Sequence, residues 1–575
     1  MRRTLVLALA ALALLGVVTP DACAQAPAAA PGAPAPTFKI TGFIDELMTY
    51  SQNTSNFDFD LHRHDTLFYG RTRGRLDIIG EYGKARAVLG LETDMVYGQT
   101  GSNDSTIVNA GAAATSSVAV MPGTDGGFDL NTDTRAILEV KWLYTEFEVP
   151  LIPVPTVARL GAQPFGSAAN YKLAVYATGD FPGVNIVSDL TPNVKIVATY
   201  VAVEEALSGR QGLTGKNSPP AATFFGISPT QMRGDDWAVI VAPEVTPIKG
   251  LDIKPMYSYF SASGVTSSNA RAGRGGINAT NWFQNSCGAT DPGCTGNDAS
   301  GTWRKGLNED RHTVGIDARY RMGPFSLDPT VLYQFGNRSL VAPTLASGLL
   351  PAQLLDSGVV PGRKYTSNID AFLVDLRGGY QLGPLLLEWQ GMFTTGNRAR
   401  NNTLGTVRYF QPLNTDTSYL ADWGSQLTAL GVDYLDAMLE GGGQVAYPGS
   451  TIGWDKYGRR QIGARATYAW TPALSMYGGA NGHWTQYMVQ KNAIPLASAG
   501  IVPLFTGQQA NNKSNYVGAE LFAGITWRFA PGIAWDNAGG YMFTGPALDA
   551  VTNPQTGSRD AKDAYILTSR IRFSF

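Results

Sequence analysis

From Phe38 onward, apolar and polar residues alternate with a period of two. That period sends successive side chains to opposite sides of the backbone, so it predicts strands with two unlike faces. The clearest stretch is FYGRTRGRLDIIGEYGKARAVLGLETDMVYG, residues 68–98. Its first strand puts Tyr69, Arg71, Arg73, Arg75 and Asp77 on one face, and Phe68, Gly70, Thr72, Gly74, Leu76 and Ile78 on the other. After the tight EYGK turn, Lys84, Arg86, Glu92 and Asp94 share a face opposite Ala85, Ala87, Leu89, Leu91, Met95 and Tyr97.

The same pattern recurs to the last residue. In RHTVGIDARYRMGPFSLDPTVLYQFG, Val314, Ile316, Ala318 and Tyr320 oppose Arg311, Thr313, Asp317 and Arg319. Beyond the turn at Gly323–Pro324, Phe325, Leu327, Val331, Tyr333 and Phe335 oppose Ser326, Asp328, Thr330 and Gln334. The pattern predicts about eighteen strands, paired two by two, from 38–50 and 67–80 to 533–544 and 563–575.

The connections alternate between short (EYGK, LTPN, MGP, WTP, FAPG) and long (51–66, 99–133, 205–234, 262–308, 337–367, 397–458, 486–513, 545–562). Short turns at one end and long loops at the other predict an all-β fold: a transmembrane antiparallel up-and-down β-barrel with periplasmic turns and extracellular loops. In a bilayer every backbone group must be paired, and only closure removes the sheet edges. A water-soluble sandwich would also alternate. Against it stand long cations on successive polar-face positions, the regular loop asymmetry, and Tyr, Trp and Phe near strand ends, where membrane interfaces favour them.

Composition narrows the class. Charged residues are 16 % of the 575, and Lys plus Arg (44) nearly balances Asp plus Glu (46), which excludes a polyelectrolyte tail or a nucleic-acid binder. The start, MRRTLVLALAALALLGVVTPDACAQ, has a basic head, a short apolar run and an Ala22-Cys23-Ala24 cleavage pattern. We expect a signal peptide over 1–24, a flexible Pro/Ala-rich leader over 25–37 and one barrel domain over 38–575. Pro20 and Asp21 argue against a lipid anchor on Cys23. No later stretch is apolar enough for a spanning helix. Cys287 and Cys294, close together in a Gly/Ser/Asn-rich segment, are expected to form a loop disulfide in an oxidising compartment.

Four segments, FKITGFIDELMTY, GRLDIIGEYGKARAVLGLETD, VARLGAQPFG and the closing YILTSRIRFSF, resemble the outer-membrane porins of Gram-negative bacteria, and the resemblance covers nearly the whole mature chain. It implies a channel, commonly a homotrimer, embedded in lipid and lipopolysaccharide. It also implies a last strand that the barrel-assembly machinery recognises by its terminal aromatics, here Phe573 and Phe575. VARLGAQPFG looks like the strand leading to an inward-folded third loop, with Gly161-Ala162-Gln163 where many porins have Gly-Arg-Gln.

Function in such a barrel rests on what lines the lumen. Strand parity places Lys39, Arg71, Arg73, Arg75, Arg86, Arg159, Lys195, Arg570 and Arg572 inward, mostly on strands that become neighbours once the barrel closes. Two readings stand: a basic wall facing Asp180 of the connection PFGSAANYKLAVYATGDFPG (164–183), giving a transverse field that favours anions, or cations that solvate the lumen and pair with Asp77, Glu92 and Asp94. The segment TSYLADWGSQLTALGVDYLDAMLEGGG changes to helical spacing and predicts a helix in the 397–458 connection, either a lid or loop packing.

Motifs for other chemistry are thin. His62 and His64 with Asp58, Asp60 and Asp65 could hold a divalent ion in the first loop, against the commoner reading of a solvated acidic loop; DLNTDT lacks a full calcium loop, and GRQGLTGKN departs from a phosphate loop in spacing and in Asn217. The sequence therefore predicts a passive-diffusion channel for small hydrophilic solutes and ions. No enzyme, cofactor or nucleic-acid partner is expected. A channel selective for organic anions, or a barrel sheathing a partner protein, is the alternative.

Overall fold

A computed structural model describes residues 35–53, 66–97, 126–128, 138–165, 176–177, 179–204, 236–264, 307–341, 364–398, 406–413, 457–488, 514–551 and 561–575. The strands are β1 (Thr37–Gln52), β2 (Thr66–Tyr82), β3 (Ala85–Tyr97), β4 (Gly126–Phe128), β5 (Leu138–Glu148), β6 (Thr156–Phe165), β7 (Gly179–Thr191), β8 (Val194–Glu204), β9 (Asp236–Ile248) and β10 (Leu251–Gly264). They continue as β11 (Leu307–Met322), β12 (Phe325–Val341), β13 (Lys364–Leu382), β14 (Leu385–Thr394), β15 (Arg459–Thr471), β16 (Leu474–Thr485), β17 (Tyr516–Ala530), β18 (Ile533–Thr544) and β19 (Ala564–Ser574).

Apart from β4, each strand pairs antiparallel with its neighbours in chain order, and β1 pairs with both β2 and β19. The sheet is therefore a closed barrel of eighteen full strands, as the alternation predicts. The three-residue β4 runs parallel to the end of β3 and continues the ladder beyond β5. The sequence pattern did not anticipate it, because three residues carry too little periodicity to read.

Short turns lie at one rim. Gly83 and Gly383 take positive φ, 59° and 57°, within two-residue turns where an L side chain would be strained. Closure is tight at that rim. The Gly42 and Phe575 backbones exchange two hydrogen bonds of 3.0 Å, and a Cβ on Gly42 would sit 2.2 Å from the Arg75 carbonyl oxygen.

Burial alternates with the pairing. On β1, Asp45, Leu47, Thr49 and Ser51 are buried inside while Ile44, Met48 and Tyr50 are exposed outside. On β19, Leu567, Ile571 and Phe573 point outward, as does Phe575 just beyond it, with Ile566 and Thr568 buried inward. Phe38, Trp470, Trp527, Phe529 and Phe575 ring the exterior toward the short-turn rim, and Tyr50, Tyr333, Phe335, Tyr541 and Phe543 toward the other. A broad apolar exterior between two aromatic girdles is stable against hydrocarbon and not against water. The strands, 10 to 19 residues long apart from β4, reach or exceed the length a tilted strand needs to cross a bilayer.

Candidate functional site

The lumen wall around the β1–β19 seam is built from charge pairs. Arg572 Nη2 lies 2.5 Å from Asp45 Oδ2, and its guanidinium covers the Phe43 ring at 4.2 Å. Arg75 approaches the same ring at 5.7 Å and covers Trp142 at 4.9 Å, while its Nε and Nη2 lie 3.0 and 2.7 Å from Glu92 Oε2. Lys141 Nζ bridges Glu92 Oε1 at 3.1 Å and Asp180 Oδ2 at 3.4 Å, and Trp142 Nε1 donates to Asp180 Oδ1 at 2.6 Å. Strand pairing brings these residues from β2, β3, β5 and β7 to one patch.

The other cations named from sequence are placed as follows. Arg86 Nε and Arg159 Nη2 share Glu146, at 2.8 and 2.6 Å. Arg570 Nη2 lies 3.0 Å from Asp536, Lys195 Nζ 3.3 Å from Asp189, and Lys39 Nζ 2.8 Å from Glu81. Arg71 is buried opposite Leu47, and Arg73 stands across from Asp45 and Asp94. Most of these partners, Asp45, Glu81, Glu146, Asp189 and Asp536, went unnamed in the sequence reading because a partner on the adjoining strand depends on register. Asp180 belongs to the second position of β7 and not to the connection, since pairing of Phe165 with Gly179 extends the ladder past the expected boundary.

Among the described residues, the connections between β6 and β7 and between β14 and β15 meet inside the barrel. Tyr176, from the connection between β6 and β7, is fully buried and donates its hydroxyl to Ser258 Oγ of β10 at 2.8 Å. Its carbonyl accepts from Leu413 N at 2.8 Å, so the connection between β14 and β15 meets it inside the barrel. Residues 406–413 are held in two ways. Val407 bonds to the backbones of Asn368 and Asp370, where β13 extends beyond its partner β14. The chain then turns inward: Gln334 Nε2 donates to the Gln411 carbonyl at 2.7 Å, and Gln411 N donates to Gln334 Oε1 at 2.9 Å.

Arg338 locks this arrangement. It is buried and donates to Glu309 Oε2 at 2.6 Å, Tyr409 Oη at 2.6 Å and Gln411 Oε1 at 2.5 Å. Glu309 also pairs with Arg311 at 2.8 Å, so one buried carboxylate serves two guanidinium groups. Sequence reasoning missed the inward course of 406–413. The apolar-rich VRYFQPL, with Tyr409, Phe410 and Leu413 buried, is the one signal that could have found it. The helical pattern of that connection, the pair Cys287 and Cys294, and the signal peptide lie outside the described residues.

Physically, the site is a narrowed polar passage, with a charge-paired wall around the seam and two chain segments meeting against β10–β12. Such a passage can conduct water, ions and small polar molecules, and sieves them by size and charge. No protein-family model matches the chain, and no curated protein matches it. Among solved structures it is similar to OccK8 (OprE) of Pseudomonas aeruginosa, at 12 % identity and a TM-score of 0.44, over 94 % of this chain and 98 % of that one. It is similar to OccAB1 of Acinetobacter baumannii at 12 % identity and a TM-score of 0.43, over 93 % and 96 % of the two chains. It is also similar to the outer membrane protein opdK from Pseudomonas aeruginosa at 9 % identity and a TM-score of 0.42, over 93 % and 99 %.

Proposed function

We propose that this protein is an outer-membrane porin of a Gram-negative bacterium, a water-filled channel for passive diffusion of small hydrophilic solutes and ions. The observation that carries this is the opposition of the two barrel faces: an apolar, aromatic-girdled exterior around a lumen lined by ion pairs and narrowed by Tyr176 and Leu413. Reconstitution into planar bilayers tests it. Stepwise conductance increments support it, and a folded, inserted barrel that passes no current refutes it.

Selectivity follows from the wall. The cations Lys39, Arg71, Arg73, Arg75, Arg86, Arg159, Lys195, Arg570 and Arg572 are taken as pore-lining, and seven of them have a carboxylate within 3.3 Å. A compensated wall supports weak anion preference at most, because paired charges present short-range dipoles and not an unopposed field. Phe573 and Phe575 are taken as the signal for barrel assembly. Their rings are exposed at the short-turn rim, available to another protein.

A homotrimer is the assembly we infer, and the outer face supports contact between copies. Glu46 faces outward between Ile44 and Met48, accepting from Thr72 Oγ1 at 2.6 Å and from Tyr97 Oη. A carboxyl group set in an apolar exterior is costly against lipid chains. Beside it lies an apolar concavity of about 690 Å³ walled in part by Met48, Tyr50, Phe68, Met476, Ile525 and Leu567.

A further inference from the structure

Toward the rim that carries the long connections, the outer face of β9–β12 presents a continuous stack of rings. His312 of β11 lies between Tyr259 of β10 and Phe335 of β12, with ring centres 5.0 and 4.9 Å away, and the Phe335 ring is within 13° of parallel to it. Trp237 extends the stack past Tyr259 at 5.3 Å, and Tyr333 past Phe335 at 5.9 Å. Other rings described at that rim meet in pairs, such as Tyr50 with Tyr565 and Tyr541 with Phe543. The surface is open, since Tyr333 and Phe335 keep 40 % and 38 % of their area exposed. One row nearer the rim, register lines up Ser261, Asp310, Asn337 and Asn368, so a hydroxyl, a carboxylate and two exposed amides border the rings. Two rows the other way, Ile316, Val331 and Val374 belong to the apolar exterior. Phe335 stands ten residues along β12 from Phe325 at the short-turn rim, which is about 25 Å up a tilted strand and matches the height of the apolar band in such barrels. The stack therefore sits where hydrocarbon gives way to headgroups.

We infer that this face docks the phosphorylated sugar headgroup of a glycolipid in the outer leaflet. A ring stack offers an apolar, electron-rich surface on which the C–H face of a sugar ring can lie. The sugar's hydroxyl and amide groups both donate and accept, and the row of Asp310, Asn337 and Asn368 supplies acceptors and donors for them. Arg408 supplies the cation. It is exposed and lies at the β13 end of the row, because Val407 bonds to the Asn368 carbonyl at 2.7 Å and accepts from Asp370 N at 2.9 Å. A guanidinium there suits a phosphate on the sugar. The acyl chains of the same molecule continue down the apolar exterior. A phospholipid brings the phosphate and the chains, but no ring for the stack and no array of hydroxyls for the row. The inference rests on the outer-membrane setting and not on conduction.

The test is native mass spectrometry of the detergent-solubilised barrel titrated with a diphosphorylated diglucosamine lipid (lipid A), with phosphatidylglycerol as the charged lipid that lacks a sugar ring. The expected result is saturable binding of lipid A, with half-saturation about tenfold higher in Phe335→Leu and in His312→Leu. Arg408→Gln should erase the preference for lipid A over its dephosphorylated form. Tyr541→Leu, on another part of the same rim, should bind as the parent does. If the ring variants do not refold, the exposed Asn337→Ala and Asn368→Ala carry the comparison. Equal uptake of phosphatidylglycerol and lipid A overturns the inference, as does lipid A binding that the variants leave unchanged. Oligomers lost in Phe335→Leu with lipid A binding intact would also overturn it, in favour of a second copy on this face. A barrel that binds lipid A and passes no current would refute the channel function alone.

Discussion

Arg572 Nη2 lies 2.5 Å from Asp45 Oδ2, although 527 residues separate them in the chain. The pair sits on the seam where the last strand meets the first, with Arg572 across from Asp45 in the β1–β19 register. Asp45 is 1 % exposed and the Arg572 side chain 32 %, so the pair is half-sheltered. Asp45→Ala is expected to destabilise the refolded barrel by about 1–2 kcal/mol, the value for a charge-assisted bond reduced by solvent screening at the open side. Urea unfolding followed by tryptophan fluorescence measures it.

Glu92 is the shared acceptor of Arg75 and Lys141. Glu92→Gln removes one negative charge and leaves two cations under-compensated on the wall, so the anion-to-cation permeability ratio should rise. Arg71, Arg73 and Arg75 replaced together by Ala should lower it. Reversal potentials in a potassium chloride gradient read both. An unchanged ratio in both variants would remove this wall from the conduction path.

Gln334 makes two hydrogen bonds to the backbone of Gln411 and so holds the inward segment. Gln334→Leu should loosen residues 406–413 at a cost of about 2 kcal/mol, since it leaves a buried carbonyl and a buried N–H unmet. Larger and noisier unit conductance is the expected outcome in single-channel records. A conductance equal to the parent protein would mean that this segment does not narrow the path.

Gly42→Ala should impair barrel closure, because the added methyl meets the Arg75 carbonyl at 2.2 Å beside the Gly42–Phe575 backbone pair. Phe575→Ala should leave closure in detergent intact and reduce the amount of folded barrel in cells. Heat-dependent gel mobility separates folded from unfolded chains for both.

Glu46→Leu distinguishes what covers the outer face of β1–β3. If copies meet there, native gels should show weakened oligomers, since the Thr72 and Tyr97 hydroxyls lose their acceptor. If lipid covers it, the variant should be as oligomeric as the parent and at least as stable, because an apolar side chain suits hydrocarbon better than a carboxyl group.

The strand count, the facing of residues such as Arg75, Tyr333 and Arg572, and the division into short turns and long connections were all legible in the sequence. Each follows from the two-residue period and from Gly-Pro chemistry, which are local properties of the chain. What the tertiary structure decided was register and the course of the connections. Parity says that Arg572 faces inward, but only the closure of β19 on β1 selects Asp45 as its partner. Parity likewise puts Asn481 inside without revealing that it stands opposite a glycine. The meeting of Tyr176 with Leu413 could not be read at all, because contacts between distant loops depend on the shape of the lumen they enter. A periodic pattern encodes which face a residue takes, and the three-dimensional closure of the sheet determines what it meets there.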